Sequence, residues 1–354
     1  MTRFARLMPV FFVEEPALEG TAPPHLKHYS VATNLSIVVP HLPQNTPADA
    51  AAAVQRRLLG EFLSYARIHR PVLWYYTPMA LQFTDTAVAA VTVYDCMDQL
   101  SAFQDAPPEL RRLETQLFRR ADVVFAGGMS LYEAKRTQHP NVHAFPSALD
   151  VAHFREARAS LPDPPDQAEI PWPRLGYFGA IDERLDRELL AAVVRLRPDL
   201  QLILVGPVLK IDLASLPQAA NIHYLGRKAY DQLPSYIANW NAAMMPFARN
   251  AATRFISPTK TPEYLASGRP VVATPIIDVV RRWGHLEAVR IAETPGEFVA
   301  EANVALALLT GGQGWLDAVD RELAQISWDR TWEQMVRAIQ AAGLRLAARR
   351  ACRL

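Results

Sequence analysis

Glycine is scarce in this chain, with 15 residues in 354, whereas proline is frequent, with 28. Loops that bind phosphate through glycine follow known patterns, G-x-G-x-x-G and G-x-x-x-x-G-K-[ST]. Neither pattern occurs in the sequence. The scarcity of glycine therefore argues against the classical dinucleotide-dependent enzymes and the P-loop nucleoside triphosphatases.

Cysteine and excess charge are also lacking. The two cysteines, Cys96 and Cys352, lie far apart and form neither a C-x-x-C nor a Cys/His ligand spacing, so neither a disulfide framework nor a zinc site is predicted. Lys and Arg total 37 and Asp and Glu total 36. No surplus of positive charge is present to release counterions from a nucleic acid, so no nucleic-acid partner is expected.

No apolar run approaches the 18 or so residues that a membrane helix needs; segments such as 10–13 and 87–94 stop after the length of a strand. Arg6 interrupts any apolar region of a signal peptide. We therefore expect a cytoplasmic protein in a reducing compartment. Four arginines near the C-terminal end (Arg345, Arg349, Arg350 and Arg353) leave open peripheral contact with the inner face of a membrane, although cations are also simply favourable at a helix C-terminus.

Half of the residues are apolar and 21% are charged, the balance of a globular protein, and 354 residues favour two domains. Short apolar runs alternate with stretches of helical period, which predicts an α/β protein with parallel sheets covered by helices. The predicted strands span 10–13, 35–39, 72–76, 91–94, 123–126 and 142–145, then 175–178, 202–205, 222–224, 242–245, 271–273 and 289–291.

Five prolines between positions 161 and 173 predict a linker without helix or inner strand. The predicted organisation is a first domain at 1–160, the linker at 161–173, a second domain at 174–328, and a helix at 329–354 that returns to the first domain. Within the first domain, residues 130–133 (SLYE) form a capping-box pattern that predicts a helix with Ser130 as its N-cap.

In open parallel sheets, ligands bind beyond the carboxyl ends of the strands. After the predicted strand at 242–245, Ser257 is a suitable N-cap and Gly268 a suitable stop for a short helix that points its N-terminus at this edge. Free N–H groups there suit a diphosphate, with Lys260 adding a charge, and Glu263 can accept hydrogen bonds from two neighbouring hydroxyls. The alternative is an ordinary capped helix with a solvated Lys and Glu.

Pro262 lies inside this predicted helix. It removes a backbone hydrogen bond and disfavours helical geometry at Thr261. We therefore expect either a kink or a helix that begins at Thr261.

Residues 257–272 (SPTKTPEYLASGRPVV) resemble the donor-binding segment of retaining glycosyltransferases of the GT-B fold, the large group often called family 4 or group 1. The resemblance extends from about residue 10 to 340. Further matching pieces are 121–125, 141–154, 176–179, 204–207 and 221–226. It implies two Rossmann-like parallel-sheet domains that face a cleft, with the nucleotide-sugar donor bound by the second domain and the acceptor by the first.

The resemblance also implies roles for individual residues. Glu263 matches the glutamate that holds the donor ribose, and Arg184 is the basic residue of the loop 179–184 where relatives bind the diphosphate. The alternative for Arg184 is an i,i+4 ion pair with surface acids. Further candidates for donor binding are Gly179, Thr253, Ser257 and Thr259.

In the first domain, Asp95 and Asp98 follow a predicted strand and are candidates for contact with the transferred sugar or the acceptor. The alternative is that each only caps the following turn. No Asp-x-Asp motif occurs, so no metal is expected; Arg184, Lys260 and helix N–H groups would stabilise the leaving diphosphate.

Besides Pro262, two further departures from the family pattern are present. Phe255 stands where many members carry a second glutamate, and the chain opens in what resembles the first helix, so that a central first strand is expected to be missing.

The predicted function is transfer of a hexose-like sugar from a nucleoside-diphosphate sugar to a glycan or lipid-linked acceptor, in polysaccharide biosynthesis and without a further cofactor. The alternatives are a nucleotide-sugar 2-epimerase of the same fold and a nucleotide-binding scaffold without turnover.

Overall fold

The computed structural model describes residues 1–312 and 314–351, and its strands form where apolar, β-branched runs occur. The first half contains β1 (Val10–Val13), β2 (Ala17–Leu18), β3 (His25–Ala32), β4 (Leu35–Leu42), α1 (Ala48–Tyr65), β5 (Val72–Tyr75), α2 (Leu81–Thr84), β6 (Val91–Cys96), α3 (Leu110–Arg120), β7 (Val123–Ala126), α4 (Met129–Lys135) and β8 (Val142–Ala144). The two halves are connected by α5 (Val151–Arg155) and α6 (Pro165–Ala168).

The second half contains β9 (Arg174–Phe178), α7 (Arg187–Leu196), β10 (Gln201–Val205), β11 (Ile222–Tyr224), α8 (Leu233–Ala238), β12 (Ala242–Met245), α9 (Lys260–Ala266), β13 (Val271–Ala273), α10 (Ile277–Trp283), β14 (Val289–Ile291), α11 (Pro295–Thr310), α12 (Leu316–Leu323) and α13 (Trp328–Ala351). Single 3-10 turns lie at Phe4–Arg6, Pro78–Ala80, Leu100–Ala102, Glu156–Arg158, Leu213–Ser215 and Tyr230–Gln232.

The second domain is a six-stranded parallel sheet in the order β11-β10-β9-β12-β13-β14. Its strands are buried on both faces; every residue of β9, β10 and β12 is buried. The strand order reverses direction between β9 and β12. Such a switch point opens a crevice at the carboxyl ends of the two strands, because the connections leave it on opposite faces of the sheet.

The first domain divides its strands between two sheets. One is parallel, in the order β5-β6-β7-β8; in the other, β1 and β2 run parallel to β4 while β3 pairs antiparallel with it. The predicted parallel α/β class is confirmed, but β3 is an addition that the pattern did not reveal. Among the described residues β1 and β5 each have a single strand partner, and a further strand in this domain stays a prediction.

The predicted N-cap at Ser130 is wrong. Helix α4 begins at Met129 with Gly128 as its N-cap, and no side chain of its own turn caps it. The backbone N–H of Ser130 instead donates to the carboxylate of Asp278, which belongs to α10 of the second domain. A backbone N–H of the first turn therefore finds its acceptor in the other domain, and a local sequence motif does not predict such a contact.

The proline-rich segment packs on the second domain and contains one helical turn, α6, contrary to the expectation of no helix. Pro165 is tolerated because it lies in the first turn, where its missing N–H has no intrahelical partner. Gln167 is fully buried and accepts a hydrogen bond from Trp240 Nε1 at 2.9 Å. Arg174 is also fully buried, and its Nη1 lies 2.6 Å from Oδ2 of Asp163.

Asp163→Ala should lower the free energy of unfolding by about 3–5 kcal/mol, because it leaves the buried guanidinium of Arg174 without its counter-charge. Chemical denaturation measures this difference. Glu61→Ala, which removes an exposed ion pair with Arg57, is the matched control and should cost at most about 0.5 kcal/mol. Equal effects of the two substitutions would contradict a buried anchoring pair.

Elements from each half cross to the other domain. Phe154 of α5 is buried against Phe178, with ring centroids 5.8 Å apart, and Arg158 donates to the carbonyl of Ala266 at 2.7 Å. These contacts attach residues 151–158 to the second domain, before the predicted boundary at 160. In the other direction, α13 packs Ala338 and neighbouring apolar residues against β6 and β7 of the first domain.

Candidate active site

Two loops flank the switch point of the second sheet. One follows β9 and carries Gly179 and Arg184; the other follows β12 and leads through Ser257 into α9. Because β9 and β12 are adjacent and parallel, their carboxyl ends place both loops beside the same crevice. The structure thus brings together two segments that lie about 80 residues apart in the sequence.

Arg184 is held in place by an acid of its own loop. Its Nε lies 2.9 Å from Oδ1 of Asp182 and its Nη2 lies 2.6 Å from Oδ2, a two-point pair that raises the pKa of Arg184. On its other side the guanidinium lies 6.0 Å from the ring of Phe103 in the first domain. The predicted alternative, an i,i+4 pair with surface acids, is therefore wrong: the partner, Asp182, lies two residues away and is buried, and it fixes the guanidinium at the cleft between the domains.

Lys260 opens α9 and lies over the aromatic ring of Tyr177, with Nζ 5.8 Å from the centroid. Burial lowers the pKa of Lys260, and the charge of Glu263 opposes that shift. Gly179 makes room for the lysine, since a Cβ there would lie 2.2 Å from Cε and 2.8 Å from Nζ of Lys260. The loop at 179–184 and the first turn of α9, the two segments predicted to bind the diphosphate, are thus in direct contact.

Gly179→Ala should lower the free energy of unfolding by roughly 1–3 kcal/mol, because the residue has a φ of +139° and its Cβ would displace Lys260. Thermal and chemical denaturation measure the loss of stability, and a nucleotide titration measures the loss of affinity expected when Lys260 is displaced. The control is Gly296→Ala, where a Cβ meets nothing within 4 Å. Equal stabilities of the two variants would contradict the close approach at Gly179.

Glu263 lies one turn into α9. Burial raises the pKa of its carboxyl, whereas Lys260 and a hydrogen bond with Thr259 lower it. Sequence reasoning missed its neighbour Tyr230, which is 54% exposed and whose pKa is raised by burial and by the charge of Glu263. The ring of His153 stacks on Tyr230 with centroids 4.1 Å apart. An exposed aromatic face therefore lies near the carboxylate predicted to hold a ribose.

The helix boundary differs from the prediction. α9 begins at Lys260 with Thr259 as its N-cap residue, so the predicted N-cap role of Ser257 and a start at Thr261 are both wrong. Pro262 is the third helical residue, where its missing N–H has no intrahelical partner, and a kink is not needed. The stop at Gly268 is as expected: its φ is +71° and its N–H bonds to Leu265.

Thr253 is buried, and its hydroxyl donates to the carbonyl of Ala248 and accepts from the N–H of Asn250. These contacts lie within its own loop. Ser257 lies against Gly128 of the first domain. Donor contacts from Thr253, Ser257 and Thr259 stay predictions.

Asp95 lies within β6, not after it as expected, whereas Asp98 follows the strand, and the two have different surroundings. Asp95 is buried and accepts from Trp74 Nε1 at 3.1 Å; burial raises its pKa to about 6, opposed by this hydrogen bond. It lines a cavity of about 130 Å³ together with Tyr76 and Trp332. Burial also raises the pKa of Asp98, and the charge of Arg184 in the second domain opposes that shift.

Phe255, at the position of the family's second glutamate, packs against the apolar cluster of the first domain. No cluster of three or more His, Cys, Asp or Glu side chains within the described part of the chain is arranged to hold a metal ion.

No helix among the described residues combines the length and hydropathy needed to cross a bilayer. Of the predicted C-terminal basic cluster, Arg345 is exposed; the side chains of Arg349 and Arg350, and Arg353 and Cys352 entirely, lie outside the described residues.

Residues 173–307, which carry both loops of the crevice, match the family described as glycosyl transferases, group 1. The second domain is therefore similar to the group 1 glycosyltransferases. A Bacillus subtilis (strain 168) protein whose name assigns it to teichuronic acid biosynthesis as a glycosyltransferase, TuaH, is 24% identical over 221 residues. That match covers 58% of this chain and 55% of the relative, so the chain spans about half the length of the curated protein it matches.

Three solved structures that superpose on most of this chain are glycosyltransferases of the GT-B fold. Sucrose-phosphate synthase from Thermosynechococcus elongatus superposes with a TM-score of 0.68 at 14% identity, over 95% of this chain and 89% of that one. The E. coli trehalose-6-phosphate protein bound with UDP-2-fluoro glucose gives 0.67 at 12%, over 93% and 92%. Anabaena HepE in complex with UDP and glucose gives 0.62 at 17%, over 85% and 86%. The predicted GT-B fold is confirmed.

Proposed function

We propose that this protein transfers a hexose-like sugar from a nucleoside-diphosphate sugar to a glycan or lipid-linked acceptor, with retention at the anomeric carbon. The observation that carries the proposal is the crevice at the switch point, where Arg184 on the loop after β9 lies beside Lys260 and Glu263 of α9, in a domain similar to the group 1 glycosyltransferases. Two cations beside one carboxylate suit a diphosphate joined to a ribose.

The proposed division of labour follows the charges. The diphosphate binds at Arg184 and Lys260, the ribose hydroxyls donate to Glu263, and the exposed ring of Tyr230 offers a surface for the base. As the glycosidic bond breaks, the electron pair passes to the diphosphate oxygen, and the two cations stabilise the growing negative charge. The acceptor binds in the first domain, where Asp98 interacts with the charge of Arg184 and Asp95 lines its own cavity.

The setting is cell-surface polysaccharide biosynthesis in the cytoplasm, a proposal supported by the similarity to the teichuronic acid protein. Peripheral contact with the inner face of a membrane through the C-terminal arginines belongs to the same proposal. We expect transfer without an added metal ion, so turnover should persist in EDTA.

The first experiment is a thermal-shift panel of UDP-, GDP-, ADP- and dTDP-sugars, because a ligand of the folded state raises its stability by RT ln(1 + [L]/Kd). UDP-glucose is the first probe, since two of the similar structures hold UDP or a UDP-sugar analogue. We expect one nucleotide class to raise Tm, and none doing so would contradict the proposal.

The alternatives separate in the next assay. A transferase releases nucleoside diphosphate together with a glycosylated product, whereas a 2-epimerase converts the donor without an acceptor. None of the three relatives with solved structures named above is called an epimerase. Phe255, which packs on the first domain in place of a sugar-binding acid, favours the second alternative, a scaffold that binds nucleotide without turnover. Binding without release or epimerisation would support the scaffold.

A further inference from the structure

The first turn of α4 is closed by a carboxylate of the second domain. Asp278 is 5% exposed, and its Oδ1 accepts a hydrogen bond from the backbone N–H of Ser130 at 2.9 Å. Its Oδ2 is buried and has no hydrogen-bond partner among the described residues. A buried carboxylate that crosses a domain boundary is costly to place there unless its hydrogen bond is made, so the bond ties the two domains together.

No space separates the domains at this point. A Cβ on Gly128 would lie 2.3 Å from Oδ2 of Asp278 and 2.7 Å from Cβ of Ser257. Gly128 has an extended backbone with a φ of −168°, so glycine is needed here for room rather than for conformation. Ser257 stands three residues before Lys260, and the donor loop therefore rests directly on this turn.

The same turn supports the loop on the acceptor side. A Cβ on Gly127 would lie 2.3 Å from the carbonyl oxygen of Met97, the residue before Asp98. Gly127 also donates its N–H to the carbonyl of Cys96 at 2.9 Å. The pair Gly127 and Gly128 is thus in contact with both loops, the one that carries Asp98 and the one that leads to Lys260.

Two further contacts cross the boundary beside α4. Arg281 of α10 pairs with Glu133 of α4 at 2.8 Å, with both side chains about half exposed. Phe255 packs against the apolar cluster of the first domain that includes Leu131. The exposed ion pair contributes little to the stability of the interface, so the buried hydrogen bond that Asp278 accepts is the polar contact that fixes the position of α4 on the second domain.

We propose that Asp278 is a positioning residue, whose hydrogen bond to α4 sets the distance between the Asp98 loop and the Lys260 loop and so aligns acceptor and donor. The inference rests on the proposed function for its catalytic consequence, but the contact itself is independent of it. A shift of about 1 Å between reacting groups can cost about 100-fold in rate, whereas nucleotide binding by the second domain alone is insensitive to it.

The contact is tested by amide hydrogen exchange of residues 127–133 in the whole protein, with no ligand added. Asp278→Ala should speed exchange in this segment at least tenfold, and Asp278→Asn should speed it much less, because the amide oxygen still accepts from Ser130. Ser130→Ala is the matched control, since the donor is its backbone N–H, and it should leave exchange unchanged. Unchanged exchange in Asp278→Ala would overturn the proposed contact.

The consequence is tested by turnover of the donor that the thermal-shift panel identifies, with UDP-glucose as first probe. Asp278→Ala should lower kcat at least tenfold while the Kd for the nucleoside diphosphate stays within twofold, and Asp278→Asn should recover most of kcat. Gly128→Ala, which keeps Asp278 but adds a Cβ in the closed space, should lower kcat in the same way. Arg281→Ala should have little effect on either quantity.

The outcomes separate the two claims. Faster exchange with wild-type kcat in Asp278→Ala would overturn the positioning role while leaving the contact intact. A parallel rise of Kd and fall of kcat would assign Asp278 to donor binding instead. If the wild-type protein binds no nucleotide, the proposed function fails, and the exchange experiment still decides whether Asp278 holds α4. Circular-dichroism melting of each variant shows that it is folded.

Discussion

Glu263→Ala should weaken binding of the nucleoside diphosphate by about 1.5–3 kcal/mol, the range for hydrogen bonds that involve a charged group. The carboxylate lies one turn into α9 beside Lys260, and burial keeps water from replacing a lost ribose contact. Isothermal calorimetry with the nucleotide identified in the panel measures the change. Glu188→Ala, an exposed acid on α7 of the same domain, is the control, and an unchanged Kd for Glu263→Ala would remove Glu263 from the ribose site.

The same residue predicts a pH dependence. Glu263 accepts hydrogen bonds from two hydroxyls only when it is ionised, and burial raises its pKa above the ordinary value of 4.5. Lowering the pH should therefore weaken nucleotide binding, beginning at a higher pH than an exposed glutamate would require. Glu263→Gln should bind more weakly at neutral pH and lose this part of the pH dependence. An identical pH profile for wild type and Glu263→Gln would contradict the assignment.

Arg184→Gln and Lys260→Gln should each lower kcat by about 100-fold, the order found when one preorganised donor to a developing charge is removed. The leaving diphosphate gains negative charge as the glycosidic bond breaks, so both cations should stabilise the transition state more than the bound donor. Initial rates at varied donor concentration measure kcat and KM separately.

The matched control is Arg249→Gln, which changes an exposed arginine on the loop that follows β12 and breaks only a surface pair with Glu293. It should leave both constants within twofold. A rise in donor KM with unchanged kcat for Arg184→Gln or Lys260→Gln would assign that residue to ground-state binding rather than to the chemical step.

The strands of the second domain could be predicted from the sequence alone because they are short, apolar and buried on both faces, a pattern with few competing explanations. The sequence did not predict β3, for the opposite reason. Seven of the eight residues of β3 are exposed, so neither an apolar run nor an alternating pattern marks it, and its pairing with β4 is what forms the strand.

The candidate site was predictable where the chemistry lies on one segment, as at Lys260 and Glu263, which are three residues apart. It was not predictable where contacts join distant residues. Tyr230 and His153 stack although they lie 77 positions apart, and the backbone N–H of Ser130 donates to a carboxylate 148 positions away. The helix signal at Ser130 was misread because a tertiary contact, the carboxylate of Asp278, takes the place of a local cap in the first turn of α4.

The central claim is that the crevice between β9 and β12 binds a nucleoside-diphosphate sugar, and a crystal structure of the complex tests it most directly. The protein would be co-crystallised with the nucleotide that gives the largest thermal shift. We predict the diphosphate within hydrogen-bond distance of Arg184 and Lys260, and the ribose hydroxyls on the carboxylate of Glu263. A nucleotide bound elsewhere, with these three side chains free of contact to it, would contradict the account.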